Sequence, residues 1–296
     1  MIQRREFLGA SGAMLALSLI TPSAARSQPT GQPSPASSAK PPLLTLRETT
    51  IGQGSPKVIV PTTATHAAEV LKFVDKVAPS QDFHVLELRL DMLENALEAS
   101  AMAALTHQVR ARLGNKLLLL TFRTKDEGGK KAVSDEQYVQ LYQQLLAEGT
   151  GDLLDIEMYR DRTKTDPLIA LAHQRGFKVI LSNHELKSTP AKEEIISRLR
   201  EQQARGADIL KLAAMPADAG DVLTLLTATW EMHQHYAQRP ILTMSMGDLG
   251  VMTRMSGELT GSALTFAMVG EASASGQVAL EDLSSVLGIV HQSMGS

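Results

Sequence analysis

Residues 178–215 read KVILSNHELKSTPAKEEIISRLREQQARGADILKLAAM. An apolar, β-rich run at 178–184 gives way to a helical stretch at 190–205, then Gly206, then a second apolar run at 208–215. The two runs are apolar at consecutive positions, which is the pattern of strands covered on both faces. Two such strands joined by a helix make a parallel βαβ unit. Pro190 offers a preset φ for a first helical position, and Gly206 offers the residue that ends a helix. The same alternation extends in both directions. Strands are expected at 57–62, 84–91, 116–123 and 153–158, then at 178–184, 208–215, 240–246 and 262–268. Helices are expected at 67–77, 97–113, 134–148, 161–175, 190–205, 217–235 and 280–292. Eight strands alternating with helices over about 250 residues are the size and pattern of a (β/α)8 barrel. An open doubly wound sheet is the alternative, weakened because no glycine-rich dinucleotide fingerprint follows the first strand.

Composition narrows the function classes. The 296 residues carry 29 Lys+Arg against 32 Asp+Glu, a net charge of -3, with 4% aromatic residues and no cysteine. Such a balance gives no general basic face for nucleic acid. The absence of cysteine rules out disulfides, cysteine nucleophiles and thiolate metal sites.

The N-terminus reads differently from the rest. Arg4-Arg5 precede Phe7-Leu8, an apolar stretch runs from Ala10 to Thr21, and Ser23-Ala24-Ala25 provides small residues for cleavage. The apolar stretch is too short to span a bilayer, for which about 20 residues are needed. Residues 1–25 are therefore expected to be an export signal of the twin-arginine type, taken to the periplasm by the twin-arginine machinery. A disordered, uncleaved tail is the bland alternative. Residues 26–42, rich in Pro, Ser and Ala, are expected to form a disordered linker, leaving 43–296 as the barrel domain.

Barrel enzymes place their chemistry where strands end. Glu87, Arg89 and Asp91 come late in the second expected strand, Arg123 closes the third, and Glu157 lies near the end of the fourth. His184 closes the fifth, Lys211 lies inside the sixth, and Arg254 and Ser273 follow the seventh and eighth. Unpaired buried charge costs several kcal/mol, at about the scale that forbids so many ionisable groups in an ordinary core. A shared polar site at one mouth explains them together.

Lys211 has apolar neighbours on both sides. Desolvation there disfavours the ammonium and frees an amine for Schiff-base chemistry on a ketone. The alternative is a structural lysine whose head reaches a carboxylate or solvent. His184 suits proton transfer in both directions, or is a satisfied strand-end histidine. Glu127, in the loop after the third strand, is placed to orient His184, though alone it is a loop glutamate. Arg89, Arg123 and Arg254 converge on the mouth and suit a carboxylate and hydroxyls, unless Glu87, Asp91 and Glu157 absorb them as ion pairs. No metal is expected: His233 and His235 are two apart on a helix and do not share a face. Gly247 to Gly250, with Gly257 and Gly261, are expected to give a mobile connection. Ser275-Gly276-Gln277 is expected to form a loop able to fold over the mouth.

Taken together, ELRLD (87–91), TFRTKDEGG (121–129), SNH (182–184), ADILKLAAMP (207–216), LTLLTATWEM (223–232), LTMSMG (242–247) and ASASGQ (272–277) resemble the type I 3-dehydroquinate dehydratases. The resemblance covers roughly residues 43–292. It implies a (β/α)8 barrel, a homodimer, and conversion of 3-dehydroquinate to 3-dehydroshikimate by syn elimination of water, with no cofactor. It further implies an imine at Lys211, proton transfer by His184, and orientation of His184 by Glu127. Arg254 would hold the substrate carboxylate with Ser273 and Gln277, and Glu87, Arg89 and Arg123 would hold ring hydroxyls. Ser275 stands where many members have proline, and Pro61 where some have a substrate-contacting serine. The export signal joined to this barrel suggests a periplasmic, catabolic use, on 3-dehydroquinate formed by quinate oxidation. A Schiff-base aldolase and an exported, non-catalytic hydroxy-acid-binding barrel are the rival readings.

Overall fold

The structure is a computed structural model that describes residues 42–295. The export signal expected over 1–25, and all but the last residue of the linker expected over 26–42, lie outside the described residues. The chain enters as an antiparallel hairpin, β1 (Leu44–Leu46) and β2 (Thr49–Ile51). Eight parallel strands follow, separated by helices. They are β3 (Lys57–Pro61), β4 (Val85–Arg89), β5 (Leu117–Thr121), β6 (Leu153–Glu157), β7 (Lys178–Glu185), β8 (Ile209–Ala214), β9 (Ile241–Ser245) and β10 (Leu264–Met268). Each pairs with the next in chain order from β3 to β9, and β10 pairs with β3 at Leu264↔Lys57. The remaining seam is closed by the bridge Ile241↔Ser262, where Ala263 N–H donates to Ile241 O at 2.7 Å. The result is a (β/α)8 barrel. A short strand β11 (Val278–Ala279) extends the pairing of β10.

The long helices are α1 (Ala67–Val77), α2 (Ala99–Arg110), α3 (Asp135–Glu148), α4 (Arg162–Gln174), α5 (Lys192–Ala204) and α6 (Ala219–His235). Two short helices, α7 (Val251–Met255) and α8 (Gly257–Thr260), precede β10, and α9 (Leu280–Ser293) closes the chain. Ser134 caps α3 in a reciprocal box: Gln137 N–H donates to Ser134 Oγ, and Ser134 N–H donates to Gln137 Oε1. Helix α5 begins two residues later than the position of Pro190 implies. Thr189 Oγ1 donates to Met215 O at 3.1 Å and holds the connection against the end of β8, so Pro190 precedes the cap.

Uniform strand burial conceals a period of two. Leu86, Leu88, Leu118, Leu120, Leu154, Leu210 and Leu212 face outward into the layer between sheet and helices. Ile59, Val85, Leu117, Leu119, Leu153, Ile180, Ile209, Leu242 and Leu264 face inward and fill the N-terminal half of the barrel. Ile51 of the hairpin joins this inner cluster and is fully buried. Arg47 at the hairpin turn donates from Nε to Asp152 Oδ1 at 2.6 Å, and Arg110 Nη1 donates to the same carboxylate at 2.9 Å. The hairpin thereby stoppers the end of the barrel opposite the polar residues.

The connection after β9 is not the mobile glycine-rich segment expected. A 3-10 turn at Asp248–Gly250 leads directly into α7 and α8. Gly250 is there because a Cβ would collide with the backbone of Ser245, so close approach rather than mobility explains it.

Candidate active site

The inward positions change character along each strand. On β4 they run Val85, Glu87, Arg89; on β6, Leu153, Asp155, Glu157; on β7, Ile180, Ser182, His184; on β8, Ile209, Lys211, Ala213. Apolar residues fill the N-terminal half and polar ones the C-terminal half, because alternate residues of a strand share a face. A cavity of about 230 Å³ opens at that C-terminal end. Its walls include all of Glu87, Arg89, Arg123, Glu127, His184, Lys211, Arg254, Ser273 and Gln277. Met244, Met246 and Phe266 give it an apolar side.

Lys211 is 2% exposed, and its surroundings are not purely apolar. Nζ donates to Asp155 Oδ2 at 2.8 Å, and the Phe266 ring lies 5.0 Å away on centroid. The lysine head therefore meets a carboxylate, the alternative that sequence left open, while remaining on the cavity wall. Asp155 is held in turn by Arg123 Nη2, which donates to Oδ1 at 2.7 Å, and by Ser182 Oγ, which donates to Oδ1 at 2.6 Å. Burial pushes the Asp155 carboxyl up, but Arg123, then Lys211, outweigh it and hold the group well below the usual carboxylate range.

His184 pairs with Glu127 from the short 3-10 turn at Lys125–Glu127. Three nitrogens converge on Glu127 Oε2: His184 Nδ1 at 2.8 Å, the His184 backbone N–H at 3.1 Å, and Arg123 Nη1 at 3.4 Å. The backbone N–H and Arg123 fix Oε2 as an acceptor, so the tautomer with the proton on Nδ1 fits this oxygen and leaves the Nε2 lone pair as the base. Burial, then the charges of Arg123 and Lys211, push the His184 imidazole well below its ordinary value, so it is neutral. Burial raises Glu127 to about 8, with Glu157 and Asp155 adding to the rise. The arrangement is a neutral, oriented imidazole beside a lysine, suited to moving a proton at an atom bonded to that lysine.

The three arginines differ in what they have left to offer. Arg89 forms a two-pronged pair with Asp91, Nε to Oδ1 and Nη2 to Oδ2, both 2.9 Å. Arg123 donates to Asp155, to Glu157 Oε1 at 3.0 Å, to Ser182 Oγ at 3.0 Å and to Glu127. Its guanidinium is spent on the protein's own carboxylates. Arg254, on α7, has no carboxylate partner among the described residues: Nη2 donates to Ser275 O at 3.2 Å and Nε is buried without a partner. Burial lowers it to about 10, still charged at neutral pH. A buried cation facing a cavity in this state is a seat for an anion. Beside it, Gln277 accepts the Ser273 N–H at Oε1, 2.9 Å, and donates from Nε2 to Ser273 Oγ at 3.1 Å. Glu87 accepts from Thr121 Oγ1 at 2.8 Å.

Asp155 was not singled out from the sequence, although the signal was present. In LLDIEM it lies two residues before Glu157 and therefore on the same inward face. Phe266 and Met215 also line the cavity without any polar mark to expose them. Among the described residues, no group of three or more His, Cys, Asp or Glu is arranged to hold a metal ion.

The family model described as "Type I 3-dehydroquinase" matches residues 58–294. The 3-dehydroquinate dehydratase of Enterococcus faecalis is 48% identical over 242 residues, spanning 82% of this chain and 95% of that protein. Its solved structure superimposes with a TM-score of 0.78 over 83% of this chain and 98% of that one, at 45% identity. The type I enzyme from Clostridium difficile, solved with covalently modified comenic acid, gives a TM-score of 0.82 at 38% identity, covering 86% of this chain and 100% of that one.

Proposed function

The chain belongs to the type I 3-dehydroquinase family and is a hydro-lyase that dehydrates 3-dehydroquinate; from that premise we propose a syn elimination carried by an imine at Lys211. The observation that carries this reading is a buried lysine, an oriented neutral histidine and an arginine without a carboxylate partner among the described residues, all on one small cavity. Lys211 Nζ gives up a proton and adds to the substrate ketone, and the carbinolamine hydroxyl takes up a proton and leaves as water, giving an iminium that acts as an electron sink for the adjacent C–H. His184 takes that proton on Nε2 and the electrons pass to nitrogen as an enamine. They return to expel the hydroxyl on the next carbon, which receives the proton from His184 and leaves as water. Hydrolysis of the conjugated iminium releases 3-dehydroshikimate and the amine. Glu127 holds Nδ1–H and keeps the imidazole in the useful tautomer.

Arg254 binds the substrate carboxylate, with Ser273 and Gln277 closing over it. Glu87 and Arg89 face the ring hydroxyls. Arg123, engaged by Asp155, Glu157 and Glu127, acts by fixing those carboxylates rather than by holding a hydroxyl itself. Incubation with 3-dehydroquinate tests the reaction through the ultraviolet absorbance of its conjugated enone product. Carbon–carbon cleavage fragments would mark an aldolase instead. Ligand binding without turnover, unchanged in Lys211→Ala, would mark a binding protein.

The location is also proposed: export by the twin-arginine route and action in the periplasm on 3-dehydroquinate supplied by quinate oxidation. Arg4-Arg5, the apolar 10–21 stretch and Ser23-Ala24-Ala25 support it. Fractionated cells should carry the mature protein and its activity in the periplasm, and a purely cytoplasmic distribution would end the idea. A homodimer is proposed as well. Leu223 and Trp230 on α6, Leu249, Met252 on α7 and Leu259 on α8 are exposed large apolar side chains on elements that pack together. Sedimentation should give twice the chain mass, and a monomer at micromolar concentration would overturn it.

A further inference from the structure

Asp155 has no part in the steps above, yet its Oδ2 lies 2.8 Å from the nitrogen on which they turn. The lysine head reaches it from β8 across β7, past Ser182, to the inward face of β6. Asp155 is almost wholly buried, and Arg123 and Ser182 both donate to its other oxygen, Oδ1. The carboxylate is therefore fixed in orientation by groups other than the lysine. Removing or altering the substituents on Nζ leaves it in place.

The charge on that nitrogen is conserved as the imine forms. An ammonium and a ketone become an iminium and water, R–NH3+ plus O=C giving R–NH+=C plus H2O. One positive charge and one N–H remain on nitrogen. Once the iminium has formed, proton removal by His184 neutralises it, as an enamine, and loss of the hydroxyl restores it. We propose that Asp155 is the counterion of Lys211 through this cycle, accepting a hydrogen bond from the resting ammonium and then from the iminium N–H. A carboxylate at this distance keeps the imine protonated at a pH where an isolated one is neutral, and a neutral imine is a poor electron sink. Arg123 joins this counterion to the proton-transfer pair, because the same guanidinium touches Asp155 and Glu127.

The inference rests on the imine reading, and one experiment separates their failures. The protein is incubated with 3-dehydroquinate and cyanoborohydride, which reduces iminium, across a pH series, and the adduct at Lys211 is followed by intact and peptide mass. The parent should trap well into the alkaline range. Asp155→Asn should move the alkaline midpoint of trapping down by about 1–3 pH units, so that trapping above the new midpoint falls about tenfold or more. Asp155→Glu, which keeps the charge, should bring the midpoint back toward the parent. A uniform loss of trapping in Asp155→Asn with an unchanged midpoint would mean a structural role and would overturn the inference alone. Should that variant fail to fold, Ser182→Ala serves. It removes one donor from Asp155 while keeping the Lys211 contact, so its midpoint should stay level or rise, and a fall would overturn the inference. No adduct at Lys211 in the folded parent would overturn the imine reading and the counterion together.

Discussion

Arg254 and Arg123 are both buried arginines on one cavity, and their partners make opposite predictions for their removal. Among the described residues Arg254 has no carboxylate to abandon, so Arg254→Gln should leave the melting temperature nearly unchanged while raising KM about 10–100-fold, the worth of a charge-assisted hydrogen-bond pair. Arg123→Ala leaves buried Glu157 without its cation and Asp155 with Lys211 alone, and should cost about 3–5 kcal/mol of stability in denaturant titration. Equal stability losses in the two variants would contradict this division. His184→Ala should lower kcat by about 10²–10⁴ while the adduct with Lys211 still forms, because the base is separate from the nucleophile. The pH profile follows from the same surroundings. Burial, with Arg123 and Lys211 beside it, disfavours the imidazolium, and the neutral ring is the base. Activity should therefore persist through neutrality and be lost with acid only at a midpoint below 6.5; a midpoint at or above 6.5 would contradict this.

Among the elements, the loop after β10 is held by a close backbone approach. Gly276 has φ +77 and lies so close to Gly247 O that a Cβ would collide with it. Gly276→Ala should lift the loop and its Ser275 carbonyl off Arg254, raising KM while the global melting temperature stays within a few degrees. An unchanged KM would show that the loop does not close over substrate. The barrel strands were legible from sequence because most open on consecutive apolar positions, and Ser134 and Gly206 marked helix ends for simple chemical reasons. What stayed hidden was partner choice. The sequence leaves Arg123 between a substrate-facing cation and an ion pair with Glu157 until β5 is set beside β6, where Glu157, and Asp155 with it, take it. Helices α7 and α8 were hidden for another reason: at five and four residues they are too short to show a period.

For the molecule as a whole, the barrel is polar at one end and stoppered at the other, and neither end is optional. The hairpin β1–β2 was invisible in the sequence, being two three-residue strands directly after a proline-rich stretch. Its Ile51 is fully buried among the inward residues of the strands, so Ile51→Ala should cost about 2–5 kcal/mol. A cost under 1 kcal/mol would show that the hairpin is ornamental. The family, the barrel and the dehydration stand independently of the imine; the covalent step depends on Lys211. The decisive measurement is the peptide mass of the protein after incubation with 3-dehydroquinate and borohydride. A reduced substrate or product adduct on Lys211, absent without ligand and absent in Lys211→Ala, is the predicted result. Full turnover with no adduct on Lys211, or an adduct on a different lysine, would contradict the account.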